Sequence, residues 1–398
     1  MKIAYFSPLP PERTGIAAYS AMLLPALARL ADLTVFTHEP EKAPESLAAQ
    51  FLIRPISEFA GTLAAGADMC LYQMGNNSQF HYDIYQMMRR YPGVVTLHDV
   101  NLHSFYGDLY VVPGRTAAYC REMAFDYGAE GVAYARGSVR GLHPYGAQEF
   151  PLFGRVVRSS LGVVVHSQFA AAQIRERYPQ TALRVVPIVQ EAPRPDLQMT
   201  ADAAKKRLGY APETVLLASF GYISANKRLD VILRAFARLN GRFPQLRLVL
   251  VGQVVEGYNL QSLCDELNLN NDLVRLVGYA DDDTFAAYLA AADVGLNLRY
   301  PTLGESSATL LRLLALGKPV LVSAVDAFVE LPEMAVVHIP IGADEQDQVE
   351  SHLAALIADP SARQALGSRA AELVREQHMP EIAAERYVEF AREVLSGG

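Results

Sequence analysis

The sequence predicts an α/β protein of two domains, each a parallel sheet covered by helices on both faces. Two observations carry this prediction. Short, continuous apolar runs of strand length alternate with amphipathic stretches of helical period along most of the chain. That is the pattern of strands buried on both faces by crossover helices. The chain also has 398 residues, more than one ordinary core accommodates and enough for two.

In the first series the predicted strands are Ile3–Phe6, Leu33–Phe36, Met69–Tyr72, Val94–Leu97 and Leu161–Val165. Helical stretches such as Ala17–Leu30 and Phe169–Arg177 lie between them. A polar stretch from Pro187 to Pro212 follows, in which Pro193 and Pro195 flank Arg194 and Asp196–Thr200 lacks periodicity; it reads as the linker. Strands then resume at Val215–Ser219, Leu246–Val251, Leu273–Val277, Val294–Asn297, Val320–Ser323 and Val336–Ile339. Their helices are Leu229–Leu239, Leu260–Leu267, Thr284–Ala292, Ala308–Leu316 and Val349–Ala358, with Gly317 a C-cap and Pro319 just beyond. The tail, Glu381–Leu395, reads as one more amphipathic helix after Pro380. The expected domains are 1–195 and 212–378, with 380–398 a helix free to return to the first.

Composition removes several classes of function. A formal net charge of −8 argues against a general nucleic-acid binder, which needs surplus Lys and Arg for phosphate backbones. The three cysteines, Cys70, Cys120 and Cys264, are far apart and lack metal-ligand spacing. They read as reduced thiols in a cytoplasm. The N-terminal apolar run Ile3–Phe6 is cut short by Ser7 and Pro8, unlike a secretory signal. No stretch approaches the ~18 apolar residues of a membrane span, and peripheral contact with the inner membrane face is left open.

Doubly wound sheets bind ligands beyond the carboxyl ends of their strands, so with two facing domains the expected site is a central cleft lined by those loops. The loop after the first strand, Ser7–Ala17, enters a helix near Gly15, where free amides attract anions. It lacks G-x-G-x-x-G, which excludes the dinucleotide fingerprint; the bland alternative is a plain turn. Gln73–Asn77, with His81 beyond, and Leu97–His103 also follow strands. Asn76, His81, His98, Asp99 and His103 suit a polyhydroxylated ligand, and Asp99 could orient His98. A lone histidine is usually structural, but three of the nine fall here. No pattern suggests a metal site, and no cofactor is expected.

In the second series, Gly221–Arg228 follows a strand and enters a helix. Lys227 and Arg228 at that entrance suit a diphosphate, the alternative being a solvated basic loop. The stretch Arg299–Thr309 joins another strand to its helix. There Gly304 admits a ligand close to the backbone, and Ser306 or Ser307 is the N-cap. Glu305 in the first turn is favoured by the helix dipole, or accepts bonds from sugar hydroxyls. Arg312, seven residues on, would share a face with it, or is a solvated charge among leucines.

At these residues the sequence resembles glycosyltransferase family 4. The likeness runs through Gly221–Leu229 with Lys227, Val249–Gly252, Val277–Tyr279, Ala291–Val294, Gly304–Glu305 and Gly317–Val320. In the first half it is similar to one bacterial branch through Gln73–Asn76, Leu97–Asp99, Leu102–His103 and His166–Ser167. The resemblance implies the GT-B fold, two Rossmann-like domains, and retaining, metal-independent hexosyl transfer in glycan synthesis. A nucleotide-diphosphate sugar donor would sit mainly on the second domain and a glycan or lipid-linked acceptor on the first. It further implies that Lys227 and Arg228 hold the diphosphate, with Gly15 at the first-domain phosphate loop. Gly221, Gly304, Ser306 and Ser307 would complete the donor site. His98 would lie near the transferred sugar, and Glu305 would stand for the first glutamate of a paired-glutamate motif. Counted back from Gly317, the second glutamate falls on Arg312 and the first on Gly304, one short of Glu305. Arginine has no acceptor and cannot copy a carboxylate, so Arg312 is expected to hold Glu305, a neighbouring loop or phosphate. Two other readings stand beside this one: a nucleotide-sugar epimerase, and a silent sugar-nucleotide or glycan-binding protein.

Overall fold

The computed structural model describes residues 1–397 apart from 61–63, 65, 113, 143–147 and 194–198. The chain divides into two compact units: Met1–Val189 with Leu303–Ser306 and Pro380–Gly398, and Gln190–Thr302 with Ser307–Met379. Each is built on one parallel sheet, as the alternation predicts.

The first unit's sheet has seven strands: β1 (Lys2–Phe6), β2 (Asp32–Thr37), β3 (Leu52–Pro55), β4 (Met69–Met74), β5 (Val94–Leu97), β6 (Gly162–Val165) and β7 (Leu183–Val185). Their spatial order is β3-β2-β1-β4-β5-β6-β7. Alternate residues point to opposite faces, so a strand apolar throughout feeds two cores. Ala4, Phe6, Phe36, Tyr72 and Val95 pack with Ile84, Tyr85 and Met88 of the helix Ser78–Arg90. Ile3, Tyr5, Val35, Leu71 and Val94 pack with Leu23, Leu24 and Leu27 of the helix Gly15–Leu27. Tyr387 and Phe390 of the C-terminal helix Pro380–Ser396 join that second core. The Tyr387 hydroxyl lies 2.9 Å from both the Tyr19 hydroxyl and Thr96 Oγ1, all buried.

The second unit's sheet has six strands: β8 (Val215–Phe220), β9 (Leu246–Val251), β10 (Val274–Gly278), β11 (Val294–Asn297), β12 (Val320–Ser323) and β13 (Val337–Ile339). Their order is β10-β9-β8-β11-β12-β13. At the amino ends of β8 and β11 a buried charge cluster fixes the register. Asp293 Oδ2 accepts from the Leu216 amide at 2.7 Å and lies 2.8 Å from Lys205 Nζ. Lys205 also donates to the Thr214 carbonyl at 2.8 Å. Lys318 donates to the Ala290 carbonyl at 2.7 Å. Burial pulls the Lys318 pKa down to about 8, with Asp293 opposing that fall.

Some elements escape the sequence pattern. β3 and β7 are edge strands of four and three residues, half-exposed and carrying Arg54 and Arg184 among their apolar residues. The helix Thr116–Val139 has no single apolar face and turns through Gly128 at φ 60°. Within the expected linker, Ala201–Arg207 is a helix whose cap, Thr200, accepts from the Ala203 amide at 3.3 Å. Linker residues 194–198 lie outside the described residues. No helix among the described residues is long and apolar enough to cross a membrane.

The Asp293 cluster makes a direct prediction. Asp293→Ala leaves the buried Lys205 without its counter-charge, and breaking such a pair costs about 3–5 kcal/mol. Urea unfolding should show a large fall in midpoint. A wild-type midpoint would mean the cluster contributes nothing to stability.

Candidate active site

Each sheet reverses its strand order once, between β1 and β4 in the first unit and between β8 and β11 in the second. Crossovers on the two sides of such a point run over opposite faces, so the loops leaving the two central strands diverge and open a crevice. Four of the loops singled out from the sequence leave these strands: 7–14 and 75–77 after β1 and β4, 221–228 after β8, and 298–307 after β11, of which Leu303–Ser306 belong to the first unit.

In the second unit, Gly221 leaves β8 at φ 90°, a backbone that side chains strain to adopt. Its carbonyl lies 2.0 Å from where a Cβ on Gly252 would stand, so both loops need glycine to approach. The segment then runs beside the loop after β9: the Ile223 amide donates to Gln253 O and the Val255 amide to Ile223 O, both at 2.9 Å. A 3-10 turn, Ala225–Lys227, leads to Arg228 in the left-handed region at φ 53°. Arg228 is the N-cap of the helix Leu229–Asn240, which no side chain caps. The two switch-point loops are joined where the Tyr300 amide donates to the Asn226 carbonyl at 2.7 Å.

The two cations differ in their attachments. Lys227 is half-buried and its ammonium donates to the Phe220 carbonyl at 3.0 Å. Arg228 Nε donates to Glu345 Oε1 at 3.0 Å, and its Nη2 bonds the other carboxylate oxygen. That pairing raises the Arg228 pKa further. Glu345 is only 2% exposed. It escaped the sequence reading because it lies more than a hundred residues from its partner, at the start of the helix Glu345–Ala358. Arg228, expected on the diphosphate, is thus fixed by a buried carboxylate.

The loop after β11 rests on a polar knot. Asn297 Oδ1 accepts from Arg299 Nη2 at 3.1 Å and from the Ser307 hydroxyl at 3.2 Å. The Arg299 amide donates to Ser323 Oγ at 2.9 Å. Ser307, not Ser306, caps the helix Ala308–Ala315, accepting from the Leu310 amide at 3.3 Å; Ser306 is half-buried ahead of it. Glu305 therefore precedes the helix and does not lie in its first turn. Its carboxylate instead accepts from the Leu303 amide at 2.7 Å. The expected shared face with Arg312 is lost for the same reason. Arg312 does not hold Glu305; its guanidinium lies 5.8 Å from the centre of the Phe285 ring, which also packs on Phe220. Gly304 takes φ 78°, and a Cβ there would come within 2.9 Å of Phe169.

In the first unit, Thr14 caps the helix that opens at Gly15, accepting from the Ile16 amide at 3.3 Å. A Cβ on Gly15 would meet nothing within 4 Å, and its φ demands no glycine. Asn77 caps the helix Ser78–Arg90, and Asn76 lies half-buried beside it. The Asp99 carboxyl accepts from the Asn76 backbone; burial raises its pKa to about 6, with the Glu305 charge adding to the rise. His98 has both ring nitrogens engaged, Nε2 at 2.8 Å from Gln73 Oε1 and Nδ1 at 3.0 Å from His166 Nε2. His166 Nδ1 donates to the Val186 carbonyl at 2.8 Å, and a neutral His98 ring has one proton to give, to either Gln73 Oε1 or His166 Nε2. Burial, with His166 adding to it, drives the His98 pKa far down, so the ring is neutral.

Two expected ligand contacts are corrected. His103 is buried, bonding the Phe150 carbonyl at 2.6 Å and the Tyr119 hydroxyl at 2.9 Å. It ties a loop to the core and faces no crevice. His81 is 1% exposed on its helix, and burial lowers its pKa to about 4. Neither can meet a large ligand across an open face.

Residues 201–373 match the family model of the glycosyl transferases, group 1. A D-inositol 3-phosphate glycosyltransferase of Kribbella flavida is 28% identical over 180 residues, 43% of this chain and 42% of that protein. The chain spans less than half of that relative's length in the match. Sucrose-phosphate synthase from Thermosynechococcus elongatus has the same fold, with a TM-score of 0.65, 18% identity and full coverage of both chains. Anabaena HepE in complex with UDP and glucose aligns at a TM-score of 0.64 and 16% identity, covering 99% of this chain and 100% of that one. The two units have the GT-B glycosyltransferase fold.

The unequal attachments of Lys227 and Arg228 predict unequal variants. Arg228→Ala strands a buried Glu345 and should cost about 3–5 kcal/mol of stability. Lys227→Ala removes a hydrogen bond to a neutral carbonyl and strands no buried charge, so it should cost about 1 kcal/mol. Thermal melting of the two variants checks this; equal losses would contradict it.

Proposed function

We propose that the chain is a retaining glycosyltransferase that moves a sugar from a nucleoside diphosphate sugar onto a hydroxyl acceptor. The observation that carries this reading is the Gly221–Arg228 loop. It sits at the β8 switch point, inside the segment matched by the group 1 family, and pairs a cation with an uncapped helix start. The second unit takes the donor and the first takes the acceptor. A UDP sugar is the donor we favour, on the strength of the nucleotide in the HepE complex.

Glycosyl transfer develops oxocarbenium character on the sugar while negative charge grows on the departing diphosphate. Charge stabilisation there is the largest demand on the protein. Lys227 supplies it: its ammonium rests on a neutral carbonyl, which a phosphate oxygen outcompetes. The first amides of the helix Leu229–Asn240 add their dipole. Arg228 acts through geometry, holding the loop onto Glu345. Gly15 leaves the helix start of the first unit open to a phosphate. Glu305, steadied by the Leu303 amide, is the carboxylate that meets sugar hydroxyls. The departing phosphate takes the proton of the attacking hydroxyl on the same face, so no protein nucleophile is required. His98 shapes this region as a neutral ring clamped by Gln73 and His166.

One observation favours a silent sugar-nucleotide binder instead. Arg312 occupies the position of the second family glutamate and stacks on Phe285. An epimerase would alter the donor without releasing nucleotide.

Incubation with UDP-glucose, with and without glycan acceptors, separates these readings. UDP release should persist after exhaustive EDTA treatment, because Lys227 and the helix amides carry the charge that a divalent ion would otherwise take. Glu305→Gln should lower turnover at least tenfold with little change in melting temperature. Loss of activity in EDTA with recovery in magnesium or manganese would overturn the assignment of the diphosphate site. Full turnover in Glu305→Gln would remove Glu305 from it.

A further inference from the structure

A row of polar groups crosses the carboxyl end of the first sheet. Gln73 stands near the end of β4, and His98, His166 and Val186 directly follow β5, β6 and β7. These four strands are neighbours in that order. The contacts step across them. Gln73 Oε1 lies 2.8 Å from His98 Nε2, His98 Nδ1 lies 3.0 Å from His166 Nε2, and His166 Nδ1 lies 2.8 Å from the Val186 carbonyl.

These contacts ask for more protons than the rings hold. Each needs one hydrogen between its two atoms, and both ends of the row are oxygens, which only accept. Three contacts need three hydrogens, whereas two neutral imidazoles carry two. Either the pair of rings takes an extra proton, or the missing hydrogen comes from outside them. Burial opposes the first by driving the His98 pKa far down, and His166 and His81 oppose a charge there as well. Gln73 supplies the second. Its Nε2 is buried and has no hydrogen-bond partner among the described residues. One end of the amide therefore wastes a donor while the other end lacks one. A half-turn of the amide exchanges the two. Gln73 Nε2 then donates to His98 Nε2, His98 Nδ1 to His166 Nε2, and His166 Nδ1 to Val186.

The exchanged amide oxygen needs a donor of its own. Gln73 and Thr96 are paired in register, so their side chains stand side by side on one face of the sheet. Tyr387 reaches that face from the C-terminal helix, its hydroxyl 2.9 Å from both Thr96 Oγ1 and the Tyr19 hydroxyl. Gln73 is a third polar side chain beside that hydroxyl. A phenol has one proton and can accept twice. With Tyr19 and Thr96 donating to it, Tyr387 has its proton for the Gln73 oxygen. The Tyr19 ring itself stands edge-on to His98, with centroids 4.7 Å apart and planes at 84°.

We propose that the Gln73 amide donates to His98 and is held in that orientation by Tyr387, so that both are positioning residues fixing His98 as the neutral Nδ1–H tautomer. That this steadies the wall of a sugar site rests on the transferase reading; the direction of the hydrogen bonds does not.

Two-bond proton–nitrogen NMR correlation on the full chain, with isotope-labelled histidine, tests it, because protonated and bare ring nitrogens give distinct signals. His98→Asn and His166→Asn assign the two rings. In wild type His98 should show a protonated Nδ1 and a bare Nε2, unchanged between about pH 5 and 8. This spectrum decides the Gln73 half without any variant: a protonated Nε2 or a charged ring would overturn it. Gln73→Glu turns the donor into an acceptor, so the ring pair should take up the third proton and the bare Nε2 signal should disappear; its persistence would contradict the proposal. Tyr387→Phe keeps the ring and releases the amide, so the Nε2 signal should move toward the protonated position. A spectrum identical to wild type, or loss of the folded near-ultraviolet dichroism, would overturn the role given to the Tyr387 hydroxyl. Turnover of UDP-glucose should fall about fivefold in both variants, the worth of one hydrogen bond, with UDP affinity unchanged; wild-type turnover in both would remove the positioning role. Absence of UDP release by wild type with glycan acceptors would instead sink the transferase reading, and the NMR result would still decide the tautomer.

Discussion

The constraint on which the rest depends is the reversal of strand order in each sheet. Right-handed crossovers force helices to opposite faces on either side of β1 and of β8. The backbone amides of the loops leaving those strands, and the helix starts that follow, are therefore not covered by a neighbouring connection. Gly15, Lys227, Arg228 and Glu305 all lie in or beside such loops. The sheets themselves contribute rigidity: their strands are apolar on both faces, so a slip in register would bury nothing new and would lose the Asp293 cluster in one unit and the Tyr387 contacts in the other.

Rigid sheets alone do not fix side chains in loops. Here that work is done by buried polar partners drawn from distant sequence. Glu345 holds Arg228, the Asn297–Ser307 knot holds the turn before the helix Ala308–Ala315, and Gln73 with His166 holds His98. The result is a division of labour within an apparently uniform set of charged residues. Lys227 donates to a neutral carbonyl. Arg228 is bound to a buried carboxylate it cannot leave cheaply. The two adjacent cations are thus physically different groups, one donating to a neutral carbonyl and one paired with a buried carboxylate.

Much of this was legible in the sequence, for identifiable reasons. The strands β5, β9, β11 and β12 are isolated apolar runs, and their bounds agree with the pattern to the residue. The edge strands β3 and β7 were not legible, because an edge relaxes the demand for continuous apolar character and admits Arg54 and Arg184. The loops that matter could be found because they follow strands and carry glycine or paired polar residues. Which side chains in them are free could not, because this depends on partners such as Glu345 and Phe150 that lie far away along the chain. The histidines show the limit most clearly. His81, His98 and His103 share a neighbourhood and a residue type, yet one is clamped, one ties a loop to the core and one is buried on its helix. Glu305 was expected in the first turn of a helix, yet both candidate caps, Ser306 and Ser307, follow it in sequence, so it precedes the helix with either.

The account stands on the claim that a nucleoside diphosphate sugar is held by the loops after β8 and β11. Backbone hydrogen exchange with and without UDP-glucose measures this directly. Protection should appear in residues 221–229 and 299–308, with the amino ends of β8 and β11 around Asp293 unchanged. Protection confined to the amino ends of the second sheet, or no change anywhere in residues 201–373, would contradict it.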